Sequence, residues 1–167
     1  MPFSFGSGTM PPSGAQEVDG LSVDAYNNII SQKTQIERVV VTSAQLLALK
    51  TTPLLLLPAP GLGLVILVDQ ILLKLPVYGG TAYTLNAGTL KVFQGTTANA
   101  VPLCADQSAL LTAVVASEMY LPVVATGVQT VAKLDNVGIF LGNDGTANYT
   151  LGNSAIDVVL VYSVVNG

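Results

Sequence analysis

The sequence predicts an all-β fold: an antiparallel β-sandwich or jelly-roll-like barrel, with an extended N-terminal arm and one or two short helices. Three observations carry this. Runs of Val, Ile, Leu and Thr recur between turn residues at the roughly 8 to 12 residue spacing of all-β domains. The runs are not separated by the long helical patterns of βαβ units. Half of the residues are hydrophobic and only 10% are charged, yet no stretch fits a membrane span.

Residues 1–35 read as the arm and residues 36–167 as the β-sandwich domain. The arm holds Pro2, Pro11 and Pro12, four of the sixteen glycines, and the acids Glu17, Asp19 and Asp24. A helical turn or two is expected near Val23–Ile30, capped by Asp24 or Ser22. Ser22 lacks a full capping box, because Ala25 stands where Glu or Gln belongs. Alone, such a segment buries too little to order itself. Its apolar residues Phe3, Phe5, Met10 and Leu21 are therefore the anchors expected to dock on a neighbouring subunit.

Ile36–Thr42 is a β-branched run and the first strand of the body. Ser43 is the expected cap of a short helix over AQLLALK. Pro53 is tolerable at a strand start, so Leu54–Leu57 follows as a strand. Pro58 and Pro60 then remove ladder donors and end it. Leu64–Pro76 is a long strand, and its length calls for a bend or bulge near Asp69–Gln70. Thr81–Asn86 and Thr89–Gln94 read as hairpin partners around Asn86-Ala87-Gly88. The first half of Ser108–Ser117 reads as a short helix. Glu118–Val124 is an edge strand because of Pro122. Val128–Leu134, Val137–Leu141 and Ile156–Val165 complete the set, and Asn143-Asp144-Gly145 is a turn.

Val39–Val41, Leu54–Leu57, Leu64–Val68 and Val158–Val161 are apolar on both faces. A sheet with one wet face alternates apolar and polar residues. Two-sided strands therefore imply a second covering layer, most simply another copy of the chain. The charge inventory agrees: six basic and ten acidic residues must serve a surface of roughly 7,800 Å². A homo-oligomer is the expectation.

Several function classes are disfavoured. The basic residues Lys33, Arg38, Lys50, Lys74, Lys91 and Lys133 are scattered, whereas nucleic-acid affinity comes from clustered cations. Leu54–Leu75 is apolar but is broken by Pro58, Pro60, Gly61, Gly63, Asp69 and Lys74, so it is not expected to span a membrane. MPFSFGSGTMPPSG lacks the basic and apolar regions of a signal peptide. The chain has no histidine and one cysteine, Cys104, so a nucleophile would lack its usual base; Cys104 reads as a small buried hydrophobe.

Gly61-Leu62-Gly63 begins like a dinucleotide fingerprint, but Ile66 occupies the third glycine's place and no helix follows. A β-turn is the better reading. Asp144 with Asn143, Asn148 and Asn153 is oxygen-rich, but the spacing is not that of an EF-hand, and these residue types serve turns. No catalytic residue, metal or cofactor is assigned. Asp144 and Tyr149, in the loop NDGTANYTLGN, are the residues expected to form an exposed contact.

The stretch from Val41 to Leu85, VTSAQLLALKTTPLLLLPAPGLGLVILVDQILLKLPVYGGTAYTL, resembles a segment of small virion proteins encoded by tailed phages. Its marks are Ser43–Leu49, Thr51-Thr52-Pro53, Ala59-Pro60-Gly61 and Tyr83, over roughly a quarter of the chain. The resemblance implies a capsid decoration (cement) protein, often trimeric, made in the host cytoplasm and seated on the head surface. Its partner would be the major capsid protein. A tail, baseplate or head-fibre component, or a carbohydrate-binding β-sandwich module, are the alternative expectations.

Overall fold

The structure, a computed structural model, describes residues 16–18, 21–23, 29–31, 34–95, 100–123 and 134–167. The chain divides into two units, Met1–Lys33 and Thr34–Gly167.

In the first unit, β1 (Gln16–Val18), β2 (Leu21–Val23) and β3 (Ile29–Ser31) form a three-stranded antiparallel sheet. The expected helical turns near Val23–Ile30 are overturned at both ends. Val23 pairs with Gln16 and with Ile29, and Ser22 pairs with Glu17 and Ser31. Ser22 thus lies within a strand. The β-branched Val23, Ile29 and Ile30 prefer the pleat. Asp24 lies outside the described residues.

The body is built from two four-stranded antiparallel sheets packed together. The first has the order β10 (Ser117–Pro122), β6 (Leu64–Leu75), β13 (Ile156–Asn166), β4 (Gln35–Val41). The second runs β5 (Leu54–Leu57), β11 (Ile139–Gly142), β8 (Lys91–Gln94), β9 (Val101–Pro102). Their facing sides bury Val41, Leu73, Val92, Ile139, Leu141, Ile156 and Val158 completely. A small sheet of β7 (Tyr83–Thr84) and β12 (Thr150–Leu151) adds a flank.

The long central strand bends where expected. Val161 pairs with Gln70 but the next residue, Tyr162, pairs with Val68. Asp69 is the extra residue of a bulge, which bends the strand and increases its twist. Pro122 closes the edge strand β10 opposite Gln70, a place where its missing N–H costs least. The first half of Ser108–Ser117 is a 3-10 helix, Ser108–Thr112.

Three expectations are corrected. The helix α1 (Ser43–Ala48) is capped by Thr42, one residue before the expected Ser43. Thr42 accepts from the Gln45 N–H, and the Gln45 side chain accepts from the Thr42 N–H at 2.9 Å. A cap at Ser43 would have placed Leu46 where that reciprocal acceptor is needed. Second, the proposed hairpin is absent. The turn at Asn86-Ala87 exists, with both residues at positive φ, but its flanks part: β7 joins β12, and β8 joins β11 and β9. Tyr83 is drawn into the core, where its hydroxyl donates to the Ser154 carbonyl at 2.5 Å. Third, the strand expected at Val137–Leu141 starts at Ile139. The strand expected at Val128–Leu134 lies outside the described residues apart from Leu134.

Gly61-Leu62-Gly63 is a turn carrying the chain from one sheet to the other. Gly61 and Gly63 have φ of +115° and +75°, a region that L side chains avoid. Asn136 Oδ1 accepts from the Gly61 N–H at 3.0 Å and Asp135 Oδ1 from the Gly63 N–H at 2.8 Å. Leu64 returns its carbonyl to the Asn136 N–H at 2.9 Å. These bonds tie the corner to the segment leading into β11.

Candidate functional site

The residues of each sheet alternate between the core and the outer side. On the outer side of the β10-β6-β13-β4 sheet, register fixes three rows across the strands. One row holds Glu118, Lys74, Asp157 and Val40; the next holds Tyr120, Leu72, Val159 and Arg38; the third holds Pro122, Gln70, Val161 and Ile36. Tyr120, Ile36 and Val40 are 75%, 71% and 57% exposed, and Leu72, Val159 and Val161 are half-buried. This is an apolar sheet face with nothing over it in the described body. Single exposed hydrophobes are ordinary, but a contiguous set marks an interaction surface.

A band of charge crosses that face. Lys74 pairs with Glu118, and Arg38 pairs with Asp157 at 2.5 Å. Asp157 is nearly fully buried, whereas Arg38 lies over it with its side chain 64% exposed. The Glu118 carboxylate, by hydrogen bond and charge, raises the Lys74 ammonium above its ordinary value. Read across the strands, the signs alternate: Glu118, Lys74, Asp157, Arg38.

The outer side of the second sheet is apolar too. Leu55, Phe140, Phe93 and Pro102 are directly paired across its four strands. A cleft of about 430 Å³ lies there, lined by Phe93, Phe140, Pro53, Lys50 and Asp144 among others. Its polar rim is already engaged. Asp144 accepts from Lys91 Nζ at 2.8 Å and from the Thr89 hydroxyl, while Lys50 Nζ donates to the Gly145 carbonyl.

Asp144 is exposed on this rim. Partial burial pulls its carboxyl upward, but the Lys91 and Thr89 hydrogen bonds outweigh that and hold it below the ordinary value. Tyr149 is corrected: it is 2% exposed, not a surface contact. Its hydroxyl donates to the Thr89 carbonyl, its ring meets Tyr83 edge-on at 6.3 Å, and burial pushes its phenol well up. The loop NDGTANYTLGN looks polar in sequence, but it folds its one large ring inward as its own core. Asn143 completes the loop, accepting from the Thr89 and Gly145 N–H groups at 2.9 Å. Cys104 is buried; its Sγ accepts from the Val92 N–H at 3.3 Å, and burial pushes the thiol up.

Phe3, Phe5 and Met10 lie outside the described residues, and Leu21 opens β2. Among the described residues no three His, Cys, Asp or Glu side chains cluster as a metal site. No helix among them is long and apolar enough to cross a membrane.

The charged band is the feature of this face that sequence reasoning missed. Arg38 and Asp157 are far apart in the chain, and only the strand order brings them together. No protein-family model, characterised protein or solved structure matches this chain.

Proposed function

We propose that this protein is a structural subunit of a virus particle, of the capsid-decorating kind, working by surface packing. The observation that carries the reading is the apolar sheet face bearing Tyr120, Ile36 and Val40, exposed among the described residues of the body. Covering such a face contributes about 25 cal/mol per Å² of apolar area, before the cost of association. The likeness of Val41–Leu85 to small tailed-phage virion proteins supplies the class. In this reading the body self-associates, and the arm, through Phe3, Phe5, Met10 and Leu21, lies across neighbouring major capsid subunits. Repetition of many equivalent copies on a lattice converts modest contacts into avidity.

The test is decoration of bare phage heads by full-length and arm-deleted protein, read as bound copies per head. Full-length protein saturates the heads, and deletion of residues 1–30 abolishes binding while the body stays folded and soluble. Unchanged decoration by the deleted form removes the arm from the mechanism. No binding by the full chain removes the capsid reading.

A further inference from the structure

We propose that the outer face of the β10-β6-β13-β4 sheet binds a second copy of this chain about a two-fold axis parallel to the strands, between β6 and β13. This rests on the assembly reading above and names the first partner of that face.

The argument is charge complementarity. Across the strands the band reads acid, base, acid, base: Glu118, Lys74, Asp157, Arg38. A two-fold parallel to the strands keeps each row level and reverses the strand order. β10 then lies over β4 of the other copy, and β6 over β13. The Glu118–Lys74 pair then lies over the partner's Arg38–Asp157 pair. Each Asp157 is buried beneath its own Arg38, so the exposed charges that meet are Glu118 and the partner's Arg38, while Leu72 comes opposite the partner's Val159. Tyr120 comes opposite the partner's Arg38, where a guanidinium over a phenol ring is attractive. The alternative face-to-face two-fold, perpendicular to the strands, retains strand order and reverses the rows. Centred on the middle row of the patch, it sets Arg38 against the partner's Arg38, and like charges across an interface are strongly selected against.

Symmetry and desolvation agree. A self-complementary patch closes at two copies, whereas a three-fold contact needs two different surfaces. Each carboxylate of the band already holds a cation on its own sheet, so docking strands no unpaired charge. Four strands about 4.8 Å apart and six residues long present roughly 400 Å² per copy. That lies at the small end of specific interfaces, so the pair forms and parts with concentration.

The experiment is mass against concentration for the full chain, by sedimentation equilibrium. The mass rises from 17.2 kDa toward twice that value. The double variant Lys74→Glu with Glu118→Lys keeps an ion pair within a copy but sets an ammonium against the partner's Arg38, which is exposed; it also brings a carboxylate beside Asp157 of its own copy. It weakens self-association at least about tenfold; the like charges within one copy also lower the melting temperature, so association is compared well below the variant's unfolding. Tyr120→Ser weakens it too, and Leu62→Ser, at the distant corner turn, does not. The proposal fails if the exchanged variant associates like the parent, or if the parent stays at 17.2 kDa up to about 1 mM. A monomer that still decorates heads overturns the two-fold and keeps the capsid reading. A dimer that ignores heads does the reverse.

Discussion

Arg38 and Asp157 stand 119 positions apart in the chain and 2.5 Å apart in space. Between them they join the first and last strands of the body, β4 and β13, on the outer side of the sheet. The arrangement is asymmetric: the carboxylate is buried and its cation is mostly exposed.

Removing the cation is therefore worse than an ordinary surface change. Arg38→Met leaves a buried carboxylate with its partner gone, and such a group costs about 1–3 kcal/mol. Asp157→Asn in the same background recovers part of that loss, because the neutral amide is cheaper to bury. Urea unfolding of the four proteins measures the coupling. Equal stability of Arg38→Met and the parent would show the pair to be a screened surface contact.

The strands were legible because their signals are local. Pro122 marked an edge, Asp69 and Gln70 marked a bulge, and runs such as VVV and LVILV marked strands buried on at least one side. What failed was pairing. Asn86-Ala87-Gly88 is a turn in both readings, but nothing near it says that β7 will seek β12 and β8 will seek β11. The same blindness hid the alternating charge band, whose four members come from four strands. Tyr149 was misplaced for a different reason. Asn, Asp, Gly and Thr surround it in sequence, but its partners, Thr89 and Tyr83, arrive from elsewhere.

At Asp144, stability depends on acid pH in a definite direction. Its carboxyl is held below the ordinary 3.8, because the Lys91 and Thr89 bonds outweigh burial. A depressed folded value means stabilisation that is present at neutral pH and lost as pH falls through the folded value. Asp144→Asn destabilises the protein at pH 7 by under about 1 kcal/mol, as befits a half-exposed pair. The gap between variant and parent closes as the pH drops below 3.8. Denaturant midpoints across the acid range check it; a constant gap would assign the effect to loop packing instead.

The paired tyrosines set the alkaline limit. Burial raises the Tyr83 phenol from 10.0 to about 12, and it raises Tyr149 further still. Unfolded, both phenols ionise near 10.0. A raised folded value gives stabilisation that is complete below the unfolded value and lost as pH climbs toward the folded one. The body therefore weakens between pH 10 and about 12, and ionisation of these two rings coincides with unfolding. Tyr149→Phe trades this sensitivity for a lost hydrogen bond. The Thr89 carbonyl loses its phenol donor, which costs about 1–2 kcal/mol at neutral pH. As pH rises the variant closes on the parent, because the ring has no proton to lose. Parallel phenolate absorbance and circular dichroism titrations decide it: free titration of all six tyrosines near pH 10 with the fold intact would contradict the buried pair.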